Sequence, residues 1–176
     1  MTAAFGPDEI NQLDYALLQN GASSFYTDKA ILAEDIEWLS RNRYRVIEVD
    51  VTSRRERGEV FEAIEERVDE WPTGYAANGS WDAFRDALVD LDFPEGGIAF
   101  LFRGFGDFAQ QTRDGAESTL DAFEKASRDH LLFGRRLIVI LEARTDVNLG
   151  PAGGRHPLLN RREWLARMAR RLRPSP

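Results

Sequence analysis

Apolar residues along this chain recur at two periods, and the switching between them marks out its elements. Behind Asp28, which is placed to cap a helix, Leu32, Ile36 and Leu39 fall at i, i+4 and i+7, and Asn42 ends the run. Tyr44–Val51 is rich in β-branched residues and bounded by Ser53 and Arg54, so it reads as a strand. Ser53 and Glu56 have capping-box spacing, and Val60, Phe61, Ile64, Val68 and Trp71 then mark one face of a helix over 54–71, stopped by Pro72 and Gly74. Ser80 opens another helix, in which Trp81, Phe84, Leu88 and Leu91 share a stripe. Upstream, Phe25–Thr27 reads as a short edge strand.

Two continuous apolar runs follow, Ile98–Phe102 and Leu137–Leu141. Runs this short fit strands covered on both faces, as in a parallel sheet between helices. Between them lies a helix that Asp114 and Glu117 cap and Gly134 ends, carrying Leu120 and Phe123. Asn148–Pro157 is a Gly/Pro-rich loop, and Asn160, three before Glu163, caps a last helix expected to bury Trp164, Leu165, Met168 and Leu172. Three strands alternating with helices predict a small α/β layer. A chain of 176 residues suits one domain, here with segments 1–43 and 144–176 as additions to a core over 44–143.

Charge changes the picture more than composition does. The net charge is −7, and residues 59–95 hold eleven acids against Arg67 and Arg85, while 155–173 hold seven arginines against Glu163. An acidic middle repels nucleic acid and attracts a basic partner; a pair of helices with solvated charged faces gives the same pattern. There are no cysteines, which excludes disulfides, thiol catalysis and thiolate metal sites. No apolar run approaches the ~20 residues of a membrane span, and the start lacks a basic segment followed by an apolar one. A cytoplasmic protein without membrane contact is the expectation.

Catalytic chemistry finds little support. The glycines at 96–97 and 150–154 have neither Walker nor dinucleotide-fold spacing, and no nucleophile elbow is present. His130, near a helix end, reads as solvated or dipole-paired, and His156 as a turn residue. No enzyme, metal or cofactor is expected. The row Asp82, Asp86 and Asp90 is different: like charges at i, i+4 cost a helix ~0.2–0.5 kcal/mol each, so the row brings no local gain except through Arg85. Spacing leaves two readings level, a solvated face or a rigid carboxylate array offered to a cationic pocket.

Trp81-Asp82-Ala83-Phe84-Arg85-Asp86-Ala87-Leu88 resembles the aspartate-bearing helix of the barstar family, intracellular inhibitors of the bacterial ribonuclease barnase. Asp114-Gly115-Ala116-Glu117-Ser118, with Leu120 and Phe123, is similar to the family's later helix, and Leu137–Leu141 to its closing strand. The likeness covers about 44–143, and longer members carry flanks similar to Leu17–Gly21, Asp35–Leu39 and Glu163-Trp164. It implies an α/β fold with a short, mainly three-stranded parallel sheet, no catalysis, and binding over a ribonuclease active site. Carried over, the partner-binding residues are Tyr75, Trp81, Asp82, Arg85, Asp86, Val89 and Asp90, with Asp86 the principal anion and Asp82 its companion. Segment 75–80 is longer than the family's, Arg85 stands where barstar has tryptophan, and Lys125 stands where it has a contacting glutamate. The expected target is therefore a ribonuclease with a basic site other than barnase itself. Rival readings take the arginines of the last helix as a nucleic-acid or ribosome contact, or the aspartates as a divalent-metal hydrolase site.

Overall fold

The computed structural model describes residues 4–68, 71, 80–144 and 147–172. In chain order its elements are α1 (Leu13–Leu18), β1 (Ser23–Tyr26), α2 (Lys29–Arg41), β2 (Tyr44–Asp50), α3 (Arg57–Glu65), α4 (Trp81–Val89), β3 (Gly97–Arg103), α5 (Phe105–Gln111), α6 (Arg113–Leu132), β4 (Leu137–Glu142), β5 (Leu158–Leu159) and α7 (Arg161–Arg171). The strands pair in parallel in the order β2-β3-β4-β1-β5. As the apolar runs predict, β3 and β4 are buried along nearly their whole length.

The sheet has five strands among the described residues where mainly three were expected; β1, read from sequence as a short edge strand, and β5 come from the flanks. Nor is β1 an edge strand: Ser23 pairs with Val139 on one side while Ser24 pairs with Leu158 on the other. The sequence places this strand over 25–27, whereas it spans Ser23–Tyr26. Its position is fixed from outside by the buried carboxylate of Glu124 on α6, which accepts the N–H groups of Ala22 at 2.9 Å and Ser23 at 2.8 Å. Gly21 makes this approach possible, because it sits at φ +122° and a Cβ there would lie 3.0 Å from the Glu124 carboxylate. The outer strand β5 has only two residues, too few to register in a pattern of alternation.

Helices cover both faces of the sheet. Successive strand residues point to opposite faces, and Phe25 reaches Phe105 of α5 at 6.2 Å while its neighbour Tyr26 hydrogen-bonds Asp35 of α2 at 2.8 Å. On the Phe25 side a chain of aromatic contacts runs from Phe105 through Phe102 and Phe123 to Phe84 and Phe61, so α3, α4, α5 and α6 share that layer. On the Tyr26 side lie α2 and, bonded to it through Asp35, α7.

Several helix ends differ from their predicted places. Helix α3 begins at Arg57, and Glu59 rather than Ser53 supplies the cap by accepting from the Glu56 N–H. Asp114 lies inside the first turn of α6, which starts after Thr112. The predicted stop at Gly134 is present: at φ +76° it lets Arg135 N–H return to the His130 carbonyl and its own N–H to that of Leu131. Helix α5 follows β3 directly at Gly104, in the left-handed region, and was not predicted. His130, expected to be solvated or paired with the helix dipole, is buried.

Helix α7 departs most from expectation. Asn160 caps it as predicted, accepting from the Arg162 and Glu163 N–H groups, yet Trp164, Leu165, Met168 and Leu172 are all exposed. The inward face is polar. Glu163 is buried and accepts from Thr27 N–H at 2.9 Å, Asp28 N–H at 3.1 Å and the Thr27 hydroxyl at 2.8 Å. Asn160 donates to the Tyr26 hydroxyl at 2.7 Å, and Arg162 pairs with Asp35. Burial, with Asp35 beside it, pushes the Tyr26 phenol well above its ordinary range.

Candidate partner-binding site

The acidic helix is held by its apolar face. Phe84, Ala87 and Leu88 are buried, with Phe84 edge-on to Phe123 of α6 at 5.7 Å and stacked on Phe61 of α3 at 4.3 Å. Trp81 stands edge-on to Phe61 at 4.8 Å and is half-buried. Each such aromatic pair adds about 0.5–1.5 kcal/mol beyond its area, so α4 has a fixed rotation about its axis. Ser80 is extended, as a helix-capping residue must be, but its hydroxyl makes no cap bond. At the other end, the buried His130 Nε2–H donates to the Leu88 carbonyl at 2.9 Å. The last turn is thereby tied to α6.

Fixing that face turns the acids outward. Asp82, Asp86 and Asp90 are exposed, while Arg85 and Val89 beside them are half-buried. The structure thus brings six of the seven expected residues onto one side of α4; Tyr75 lies outside the described residues. Asp82 occupies the first turn, where the helix dipole favours an anion. The Arg85 guanidinium lies 3.2 Å from Asp86 Oδ1, so this departure from the barstar pattern partly neutralises that carboxylate. Val89 packs against the core and offers little to a partner.

A groove of about 280 Å³ runs between α4 and α6, lined by Trp81, Asp82, Arg85, Glu117, Asp121, Lys125 and Pro151 among others. Lys125 is paired with Asp121 at 2.6 Å. Both cations that separate this surface from the barstar pattern therefore have a carboxylate partner within it. Pro151 belongs to the loop predicted over 148–157, whose backbone is fastened to α6: Gly150 N–H donates to Glu117 Oε1 at 2.7 Å and Gly153 N–H to Asp121 Oδ1 at 2.9 Å. The Gly150 N–H, joined by Arg113, holds the Glu117 carboxyl below its usual range. Burial pushes Asp121 up, but Lys125 and the Gly153 N–H outweigh it and hold this carboxyl low. Both stay ionised at neutral pH. Sequence reasoning missed this loop's place in the site, since a glycine-rich loop announces its flexibility and not its destination.

The surface carries more carboxylates than cations, with Asp82, Asp86, Asp90, Glu117 and Asp121 against Arg85 and Lys125. Its charged groups sit on an exposed helix ridge and a shallow groove, and no group of three or more His, Asp or Glu among the described residues is placed to hold a metal ion. Among those residues, too, no helix is long and apolar enough to cross a membrane. Compared with known proteins, residues 44–142 match the model of a family described as Barstar (barnase inhibitor), which is more than half of the chain. No curated protein sequence matches it closely enough to stand as a relative.

Proposed function

Since this chain belongs to the barstar (barnase inhibitor) family, a family of inhibitors and not of enzymes, we propose that it is a cytoplasmic protein inhibitor of a bacterial ribonuclease, of immunity or antitoxin type. The carrying observation is the rigid presentation of Asp82 and Asp86 on α4, whose opposite face is locked by Phe84 and Leu88. A ribonuclease concentrates cationic groups where phosphate binds, so a fixed array of carboxylates has the complementary potential and competes with substrate without being cleaved. The same complementarity speeds encounter. In this reading Asp86 is the principal anion, Asp82 its companion, and Trp81, Arg85, Val89, Asp90 and Tyr75 surround them. Arg85 and Lys125, both already paired, tune the surface to a basic site other than that of barnase. Residues 1–176 form one domain, in which the flanks complete the sheet of the 44–143 core.

The nucleic-acid reading of the last helix has less support. Arg162 and Arg167 turn inward to Asp35, Glu34 and Thr27, and an apolar stripe occupies the outward face.

The test is inhibition of candidate ribonucleases from the protein's own source, with barnase alongside, by the wild-type protein and by Asp82→Ala/Asp86→Ala. Truncating one partner of a close interfacial charge pair costs about 2–5 kcal/mol, so the double variant is expected to lose at least about a hundredfold in affinity. Capture of no ribonuclease, or inhibition indifferent to both aspartates, overturns the proposal.

A further inference from the structure

Helix α7 turns its apolar side to solvent. Trp164, Met168 and Leu172 follow at i, i+4 and i+8 with Leu165 beside them, a single stripe, and they are 52%, 37%, 77% and 50% exposed respectively. Leu158 on the outermost strand is 51% exposed as well. The opposite side is occupied by Glu163, Ala166, Arg167 and Arg170, facing the start of α2. The stripe cannot roll inward, because Glu163 is buried in bonds to Thr27 and Asp28 and Arg162 is fastened to Asp35. A contiguous apolar surface of this kind on a soluble chain marks an interaction site.

Charge and composition select what covers it. Arg161, Arg170 and Arg171 are exposed on the same helix, and its only acid, Glu163, is buried. A second copy docking α7 on α7 antiparallel would bring Arg161 of one copy toward Arg171 of the other as the stripes met. A cationic helix with tryptophan, leucine and methionine on its other side, low in mean hydropathy, has the composition of a helix lying in a membrane interface.

We propose that α7 docks this protein peripherally on an anionic lipid bilayer. Leu165, Met168 and Leu172 enter the acyl boundary, the Trp164 indole sits at headgroup level, and Arg161 and Arg171 meet the lipid phosphates. The sequence expectation of no membrane contact rested on the lack of a spanning apolar run, which does not bear on a helix lying in the interface. The acids of α4 do not oppose docking, since α4 and α7 belong to opposite layers of the sheet, beyond the reach of a ~10 Å screening length. This inference is independent of the ribonuclease reading, and its failure leaves that reading untouched.

The test uses full-length protein co-sedimented with vesicles of equal parts phosphatidylglycerol and phosphatidylcholine, and with phosphatidylcholine alone. Wild type is expected to pellet with the anionic vesicles only and to be released by high salt. Leu165→Ser/Leu172→Ser, both at exposed positions, is expected to keep the wild-type circular dichroism and lose at least about tenfold in partitioning, from the apolar area withheld. Three results overturn the proposal: no binding to the anionic vesicles, equal binding to both kinds, or unchanged binding of the double variant. A dimer in sedimentation equilibrium that the double variant dissociates also overturns it, showing that a second copy covers the stripe.

Discussion

His130 joins the acidic helix to α6 through one proton, and its surroundings decide when that proton has company. Burial pushes the imidazole below its ordinary value and Arg135 pushes the same way; the Leu88 hydrogen bond and Asp129 oppose them without reversing the shift. The neutral ring is therefore favoured by folding, packed against Phe93 at 4.1 Å. With the folded value below the unfolded one of about 6.5, the stabilisation is complete above that pH and is lost as pH falls toward and through the folded value. We expect the melting temperature to drop as the pH falls below about 6.5. His130→Gln, which cannot charge, is expected to flatten that slope in thermal melts. An unchanged slope shows that His130 does not set it. This residue was misread from sequence because a histidine near a helix end is usually solvated, and only the packing of Phe93 and Leu88 shows otherwise.

At the scale of elements, what could be read depended on whether the information was local. Strands β2, β3 and β4 announce themselves by composition, and Asp28, Asn160 and Gly134 mark helix ends through bonds made within a few residues. The face of α4 was equally legible, since Phe84, Leu88 and Leu91 share a stripe that is buried. Amphipathicity states that two sides of a helix differ, however, and not which of them meets the protein. For α7 the choice is made by Thr27 and Asp35, residues separated from Glu163 and Arg162 by 136 and 127 positions. Glu163 is the pivot of that choice. Replacing it with alanine strands the Thr27 and Asp28 N–H groups, and urea unfolding is expected to show a loss of about 1–2 kcal/mol, from partly buried donors left without a charged acceptor. Glu163→Gln, whose amide oxygen still accepts, should lose less. Equal losses in the two variants count against the hydrogen-bond account.

For the whole molecule, the flanks supply strands rather than decoration. Strand β5 covers the outer edge of β1, and α7 closes over Tyr26 and Asp35. Removing residues 144–176 uncovers that edge and leaves a buried carboxylate without its arginine. Such an edge pairs readily with another chain. The truncated protein is expected to melt lower and to scatter light at concentrations where the full chain stays dispersed. A truncated form that remains monomeric with an unchanged melting temperature contradicts this role. The layout of the sheet also has a consequence in time. Strands β2, β3 and β4 lie side by side in the order in which they occur in the chain, whereas Ser23 meets Val139 across more than a hundred residues. Loop closure makes near neighbours in sequence cheaper to join than distant ones. The middle of the chain is thus set to assemble first and the two flanks to clasp each other last, so that α4 finds its footing on Phe84 and Phe123 before the sheet is complete.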